Sequence, residues 1–244
     1  MRLTSLFVLA SILGLTACGG GGDTAPDLEG VWAGNYSFGA QGEHLTGMIK
    51  NGGPAFFYQS DGVLFVMPHT PSGSQLDEPV VTYPTYGFIF NGGQTTLASW
   101  LKGDASSSQI SGTLTVAGGL ANLVVRPITP LKGTASLVPG IWSGLYIGSQ
   151  NVALNVSSSG AIAGTDTYGC QYTGQIDQLK SGENLFSVAL HNAGPGPICG
   201  HVFDGLAYES DTDQTGAYGN AAGTYYYVAA YDPTEAVVME LKVQ

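Results

Sequence analysis

Gly30-Val31-Trp32-Ala33-Gly34-Asn35-Tyr36 decides the reading of this chain, because it returns as Gly140-Ile141-Trp142-Ser143-Gly144-Leu145-Tyr146. Both copies read Gly-[Val/Ile]-Trp-[Ala/Ser]-Gly-x-Tyr, and each opens one half of the 244-residue chain. Short runs with period-two alternation follow each copy, rich in β-branched and aromatic residues and separated by Gly, Asn, Asp, Ser and Pro. No amphipathic 3.6-residue period of useful length appears after the N-terminus, so the pattern predicts an all-β protein. In the first half it predicts strands near 30–38, 44–50, 54–59, 62–68, 79–90, 94–101, 108–116 and 121–127, with a long loop over 70–79. In the second half it predicts strands near 140–148, 151–156, 160–167, 170–176, 184–191, 199–208, 222–231 and 235–243. Asn51-Gly52-Gly53, Asp61-Gly62 and Asn91-Gly92-Gly93 suit tight turns that need positive φ.

Eight strands per half suggest two small antiparallel eight-stranded barrels, since closure removes the sheet edges that would otherwise aggregate. Such a barrel has an interior just wide enough for side chains or one small ligand, and strands this short favour mostly filled interiors. A single β-sandwich made by both halves is the competing architecture. Beyond the repeated stretch the two halves share little residue identity.

The N-terminus is a targeting segment. Met1-Arg2 precedes an apolar run from Leu3 to Gly14, too short for a bilayer core of ~30 Å. Leu15-Thr16-Ala17-Cys18 resembles the lipobox of bacterial lipoproteins, which implies cleavage before Cys18 and acylation of that residue. Gly19 to Gly22 read as a flexible tether. The expected organisation is a signal peptide over 1–17, lipidated Cys18 and tether over 18–27, a first β domain over 28–128, a linker over 129–137 and a second β domain over 138–244. Gly19 is not the Asp that favours inner-membrane retention in enteric bacteria. For a Gram-negative source the expected address is therefore the outer membrane, its face undetermined.

The chain carries 18 acidic and seven basic residues, a formal net charge of −11, and loss of Arg2 with the leader makes it more negative still. That argues against nucleic acid, whose binding rests on Lys and Arg neutralising phosphates. It argues equally against electrostatic docking on anionic lipid head groups, leaving the anchor at Cys18 as the membrane contact. The three cysteines divide the same way. Lipidation accounts for Cys18, and in an oxidising compartment Cys170 and Cys199 are expected to form a disulfide, stabilising the fold by ~3–4 kcal/mol.

A Gly-x-Trp at the start of the first strand resembles the lipocalin and avidin superfamily, in which the Trp plugs one end of an eight-stranded up-and-down barrel. Gly140-Ile141-Trp142, Gly148-Ser149 and Gly160-Ala161-Ile162-Ala163-Gly164-Thr165 follow the avidin order. The resemblance implies structural roles for Trp32 and Trp142. It implies no biotin site, because the second half has no Trp after Trp142. Gly164 to Gly174 with Cys199-Gly200 also looks like a pattern in uncharacterised proteobacterial lipoproteins, which implies a secreted β domain with a disulfide and no activity. Small periplasmic metalloprotease inhibitors, also eight-stranded barrels, are similar in size. Their inhibitory N-terminal segment corresponds here to the lipidated end.

No catalytic motif is present: there is no Gly-x-Ser-x-Gly, His-Glu-x-x-His or phosphate-binding loop, and no cofactor or catalytic residue is expected. His44, His69, His191 and His201 lack zinc spacing, although His191 and His201 with Asp204 are the nearest approach to one. Asp204, Glu209, Asp211 and Asp213 lack the ordered spacing of a calcium loop. The remaining signal is aromatic, in Phe56-Phe57-Tyr58, Tyr83 to Phe90 and Tyr225-Tyr226-Tyr227. On a strand, Tyr225 and Tyr227 share one face and Tyr226 takes the other. An exposed Tyr platform would suit a protein or glycan. The expectation is a non-enzymatic binding or adhesion module of the cell envelope. A structural envelope lipoprotein, or a small-ligand carrier or protease inhibitor of the lipocalin kind, is the alternative.

Overall fold

The computed structural model describes residues 25–71, 73–116, 119–128, 136–146, 151–180, 183–196, 198–212 and 222–244. Cys18, the leader and most of the expected linker lie outside them. The described residues form sixteen strands and no helix. The first eight are β1 (Gly30–Phe38), β2 (Gln41–Ile49), β3 (Ala55–Gln59), β4 (Leu64–Met67), β5 (Gln75–Tyr83), β6 (Leu97–Ser106), β7 (Gln109–Val116) and β8 (Gly119–Pro127). The second eight are β9 (Gly140–Tyr146), β10 (Asn151–Val156), β11 (Ala161–Asp166), β12 (Gln171–Gln178), β13 (Leu185–Ala193), β14 (Val202–Thr212), β15 (Ala222–Tyr231) and β16 (Ala236–Val243). Each set closes into a barrel in which every strand pairs antiparallel with its neighbours in sequence. The seams are β1 on β8, with Trp32 opposite Pro127 and Phe38 opposite Ala121, and β9 on β16, with Trp142 opposite Val243. Two eight-stranded barrels are thus the architecture, as the repeat and turn spacing predict.

Trp32 and Trp142 point inward and are almost wholly buried, each at one end of its barrel. Each indole N–H donates to the carbonyl four residues earlier, Leu28 and Val138, both at 2.9 Å. A buried indole needs such a partner. Trp142 also stacks on Tyr226, with ring centroids 3.9 Å apart. Gly34 and Gly144 sit at the closure seams. A Cβ there would lie 2.0 Å from the Val124 carbonyl oxygen and 1.8 Å from that of Glu240. Tyr36 and Tyr146 point inward near the opposite end.

Several strand boundaries depart from the sequence reading, among them β6, which runs to Ser106 against an expected 101, β14, which runs over 202–212 against an expected 199–208, and both ends of β5. The run 79–90 is strand only to Tyr83, and residues 84–96 are a loop carrying the small bridge Phe90 to Gln94. Pro84 explains the stop, because it cannot donate to a ladder. Conversely β5 begins at Gln75, inside the expected loop, and tolerates Pro79. Beyond Val81 β4 does not reach it, so one side is an edge, where proline is permitted.

The barrels pack on each other. Outward side chains Val31, Met48, Phe56, Tyr58, Leu64, Val66 and Tyr83 of the first meet Leu185, Leu206, Tyr208, Tyr225, Tyr227, Ala229, Ala236 and Val238 of the second, all buried. Tyr208 stacks on Tyr227 at 4.9 Å, and the Tyr227 hydroxyl donates to buried Glu240 at 3.0 Å. This corrects the reading of Tyr225-Tyr226-Tyr227. The faces alternate as expected, but all three rings are buried, Tyr226 in the barrel and the other two between barrels. No tyrosine platform is offered to a partner there.

Candidate functional site

Each barrel has one end closed by its Trp, and the two opposite ends differ. In the second barrel Tyr146, Asp166, Tyr172 and Asn192 converge at that end. The hydroxyls of Tyr146 and Tyr172 touch each other and both reach Asp166 Oδ2, at 2.9 and 3.1 Å. Asp166 Oδ1 accepts the backbone N–H groups of Tyr168 and Cys170, both at 2.9 Å. Tyr86 closes this end from outside. It belongs to the 84–96 loop of the first barrel, yet it is buried in the core of the second. Its ring lies 4.7 Å from that of Tyr146, its hydroxyl donates to the Ile198 carbonyl at 3.0 Å, and it accepts from Asn192 Nδ2 at 3.0 Å. Burial pushes the hydroxyls of Tyr86, Tyr146 and Tyr172 above the ordinary tyrosine range, so they stay neutral donors.

The Cys170–Cys199 disulfide spans 29 residues and sits beside this socket. It ties the start of β12 to the segment holding Ile198. Asn192 completes the frame, its side-chain oxygen accepting the backbone N–H groups of Gly200 and His201 at 3.0 and 2.7 Å. The second barrel is therefore filled and stoppered, in line with the expectation of filled interiors.

The first barrel is not. Trp32, Leu45, Ile49, Phe57, Met67, Val80, Leu101, Ile110, Leu114 and Val125 fill its closed half. Toward the other end a cavity of about 410 Å³ opens. This lies within the ~300–1,000 Å³ of small-molecule sites. Its apolar wall is Tyr36, Phe38, Val63, Phe65, Leu97 and Val116, with Phe90 contributed by the 84–96 loop. Tyr36 and Phe65 lie ring to ring at 5.4 Å. Its polar groups are Gln59, Thr82, Ser99, Asn91 and Gln94, and among the described residues no Asp, Glu, His, Lys or Arg lines it. Burial raises the Tyr36 hydroxyl above its ordinary range, so it too is neutral. Phe38, Phe88, Ile89 and Leu120, all exposed, add further apolar surface in the segments around this end. The expectation of filled interiors is thus corrected for the first barrel. The wall strands end in small or polar side chains at the inward positions 59, 82 and 99, which leaves the space.

The 84–96 loop serves both barrels: Tyr86 stoppers the second, and Phe90, Asn91 and Gln94 wall the cavity of the first. Two further ties hold it, Tyr83 hydroxyl to the Asp232 carbonyl at 2.9 Å and Gly87 N–H to Glu235 Oε1 at 3.4 Å.

The histidines and carboxylates singled out in the sequence are dispersed. His201 Nδ1 pairs with Asp232 Oδ2, while His191 is exposed on the outer face of β13. Asp204 and Glu209 lie on opposite faces of β14; Glu209 points inward and accepts from the Tyr226 hydroxyl at 3.3 Å. Burial raises the Glu209 carboxyl above the usual range. Asp213 lies outside the described residues. Among the described residues no three His, Cys, Asp or Glu side chains converge as metal ligands would. Comparison with family profiles, with curated proteins and with solved structures yields no match to this chain.

Proposed function

We propose that this chain is an exported lipid-anchored binding protein whose first barrel holds a small, neutral, largely apolar molecule, with no chemistry performed on it. The observation that carries the reading is the open cavity of about 410 Å³, lined by apolar and uncharged polar side chains, beside a second barrel that is stoppered. Of the functions considered, carriage of a small ligand needs such a space, while adhesion through a tyrosine platform has lost its surface. The second barrel then acts as the mount that holds the cavity's outer loop.

The anchor fits this arrangement. The chain enters the first barrel through Leu28, packed beside Trp32 at the closed end. A lipid on Cys18 would tether that end through a short leash, leaving the mouth at the opposite end, away from the membrane. Cys18→Ala is expected to abolish metabolic labelling with a clickable palmitate analogue and to shift the protein to the soluble fraction. Unchanged labelling would refute the anchor.

Binding is tested with the non-lipidated chain and N-phenyl-1-naphthylamine, a neutral apolar fluorophore. Saturable, one-to-one enhancement of its fluorescence is expected. Val116→Trp, which places an indole in the mouth, should weaken binding by about tenfold or more, the effect of losing ~1.4 kcal/mol, with little change in thermal midpoint. A variant that binds like the parent would sink the cavity as the site.

A further inference from the structure

Gln59 is the feature of the cavity that its apolar character does not explain. It ends β3 at an inward position, is 7 % exposed, and its side-chain amide has no hydrogen-bond partner among the described residues. The amide is presented to the cavity, where a ligand must either pair with it or strip it of water and leave it unsatisfied. Thr82 and Ser99, equally buried, stand on the same wall and bond each other at 2.8 Å. Two hydroxyls own two O–H donors, and their mutual bond uses one. The wall therefore retains an amide oxygen that accepts, an amide nitrogen that donates and a hydroxyl that donates. The Tyr36 hydroxyl also opens on this space and has no partner among the described residues.

Resting on the cavity as the ligand site, we propose that it selects neutral ligands with an adjacent donor and acceptor on one edge, as in a carboxamide, joined to a flat apolar body. The edge pairs with the Gln59 amide, whose oxygen and nitrogen lie side by side and match such an edge in reverse. The body lies between Tyr36, Phe65, Phe90 and Leu97. A carboxylate is refused because, among the described residues, no Lys, Arg or His lines the cavity, and an ammonium because no Asp or Glu does.

Three ligands of one shape separate these contributions: 2-naphthamide, 2-naphthoate and naphthalene, each competing with N-phenyl-1-naphthylamine on the full non-lipidated chain. The amide is expected to bind about tenfold or more tighter than either of the others, as loss of one buried hydrogen-bonded pair implies. Gln59→Leu should bring the amide down to the naphthalene level and leave naphthalene within about threefold of its parent value. Gln59→Met, unbranched and of similar length, repeats the test should the leucine variant not fold. Naphthoate or naphthalene binding as tightly as the amide would overturn the proposal, and so would an amide preference that survives loss of Gln59. If the fluorophore never binds, or binds regardless of Val116→Trp, the cavity reading fails first, which is a different result from loss of selectivity alone.

Discussion

Tyr86→Ala is expected to lower global stability by about 4–5 kcal/mol, more than its place in a surface loop would suggest. The ring is buried in a barrel to which its own strands do not belong, and truncation leaves a hole over Tyr146, Tyr172 and Asn192. The loss combines the transfer and cavity cost of an aromatic side chain with two hydrogen bonds of ~1 kcal/mol each. Tyr86→Phe should lose only the hydrogen-bonded part. Chemical denaturation measures both, and millimolar p-cresol, which is the missing side chain, should restore part of the alanine variant's stability. The same variant should weaken N-phenyl-1-naphthylamine in the first barrel, although Tyr86 does not line that cavity, because the loop that walls it has lost its anchor. A destabilisation below about 0.5 kcal/mol, the range of an ordinary surface substitution, would show that the stopper is not structural.

Gly144→Ala carries the second large effect. In the second barrel's seam the methyl group would meet the Glu240 carbonyl oxygen at 1.8 Å, and that oxygen is backbone, held by the β9–β16 pairing. No rotamer can relieve a clash between a Cβ and a neighbouring strand, so the seam must open. Overpacking typically costs ~1–3 kcal/mol, and a rigid backbone partner places this variant at or beyond the upper end. Gly34→Ala, whose Cβ would lie 2.0 Å from the Val124 oxygen, should behave alike at the β1–β8 seam. Gly42→Ala is the control, since nothing lies within 4 Å of its Cβ. It should stay within about 0.5 kcal/mol of the parent. Equal melting temperatures for Gly144→Ala and Gly42→Ala would contradict the seam geometry.

These two variants mark the limit of what the sequence discloses. The glycine of the seam stands in the repeated stretch, where spacing alone draws attention to it, and Trp32 and Trp142 fall where a barrel plug must. The disulfide followed from the cysteine count and the compartment expected from the N-terminus. Tyr86 stood in the aromatic run Tyr83 to Phe90 but read there as strand, and its burial depends on second-barrel partners as far as 106 and 112 residues away. The inter-barrel face was partly readable. Ala55–Tyr58, Leu64–Met67, Tyr225–Ala230 and Ala236–Met239 are apolar runs without alternation, the mark of strands buried on both sides, while Asn151–Val156 alternates as a strand with one wet face does. Gln59 was legible only in retrospect, as the one polar residue at an inward position of β3. Whether such a residue faces packed carbon or open space depends on how the opposite wall ends, and no local pattern encodes that.

The stopper also fixes an order of events in biogenesis. Tyr86 and the Ile198 carbonyl that receives its hydroxyl are 112 residues apart, so the first barrel is synthesised before its loop has anything to hold. Its outer face, with Phe56, Tyr58, Leu64 and Val66, waits uncovered for the same partner. Surfaces of that kind are what make partly folded chains aggregate. The half proposed to hold the ligand therefore matures last, when the stoppered half has closed, and a premature stop codon in the second half would cost the cell the first half as well.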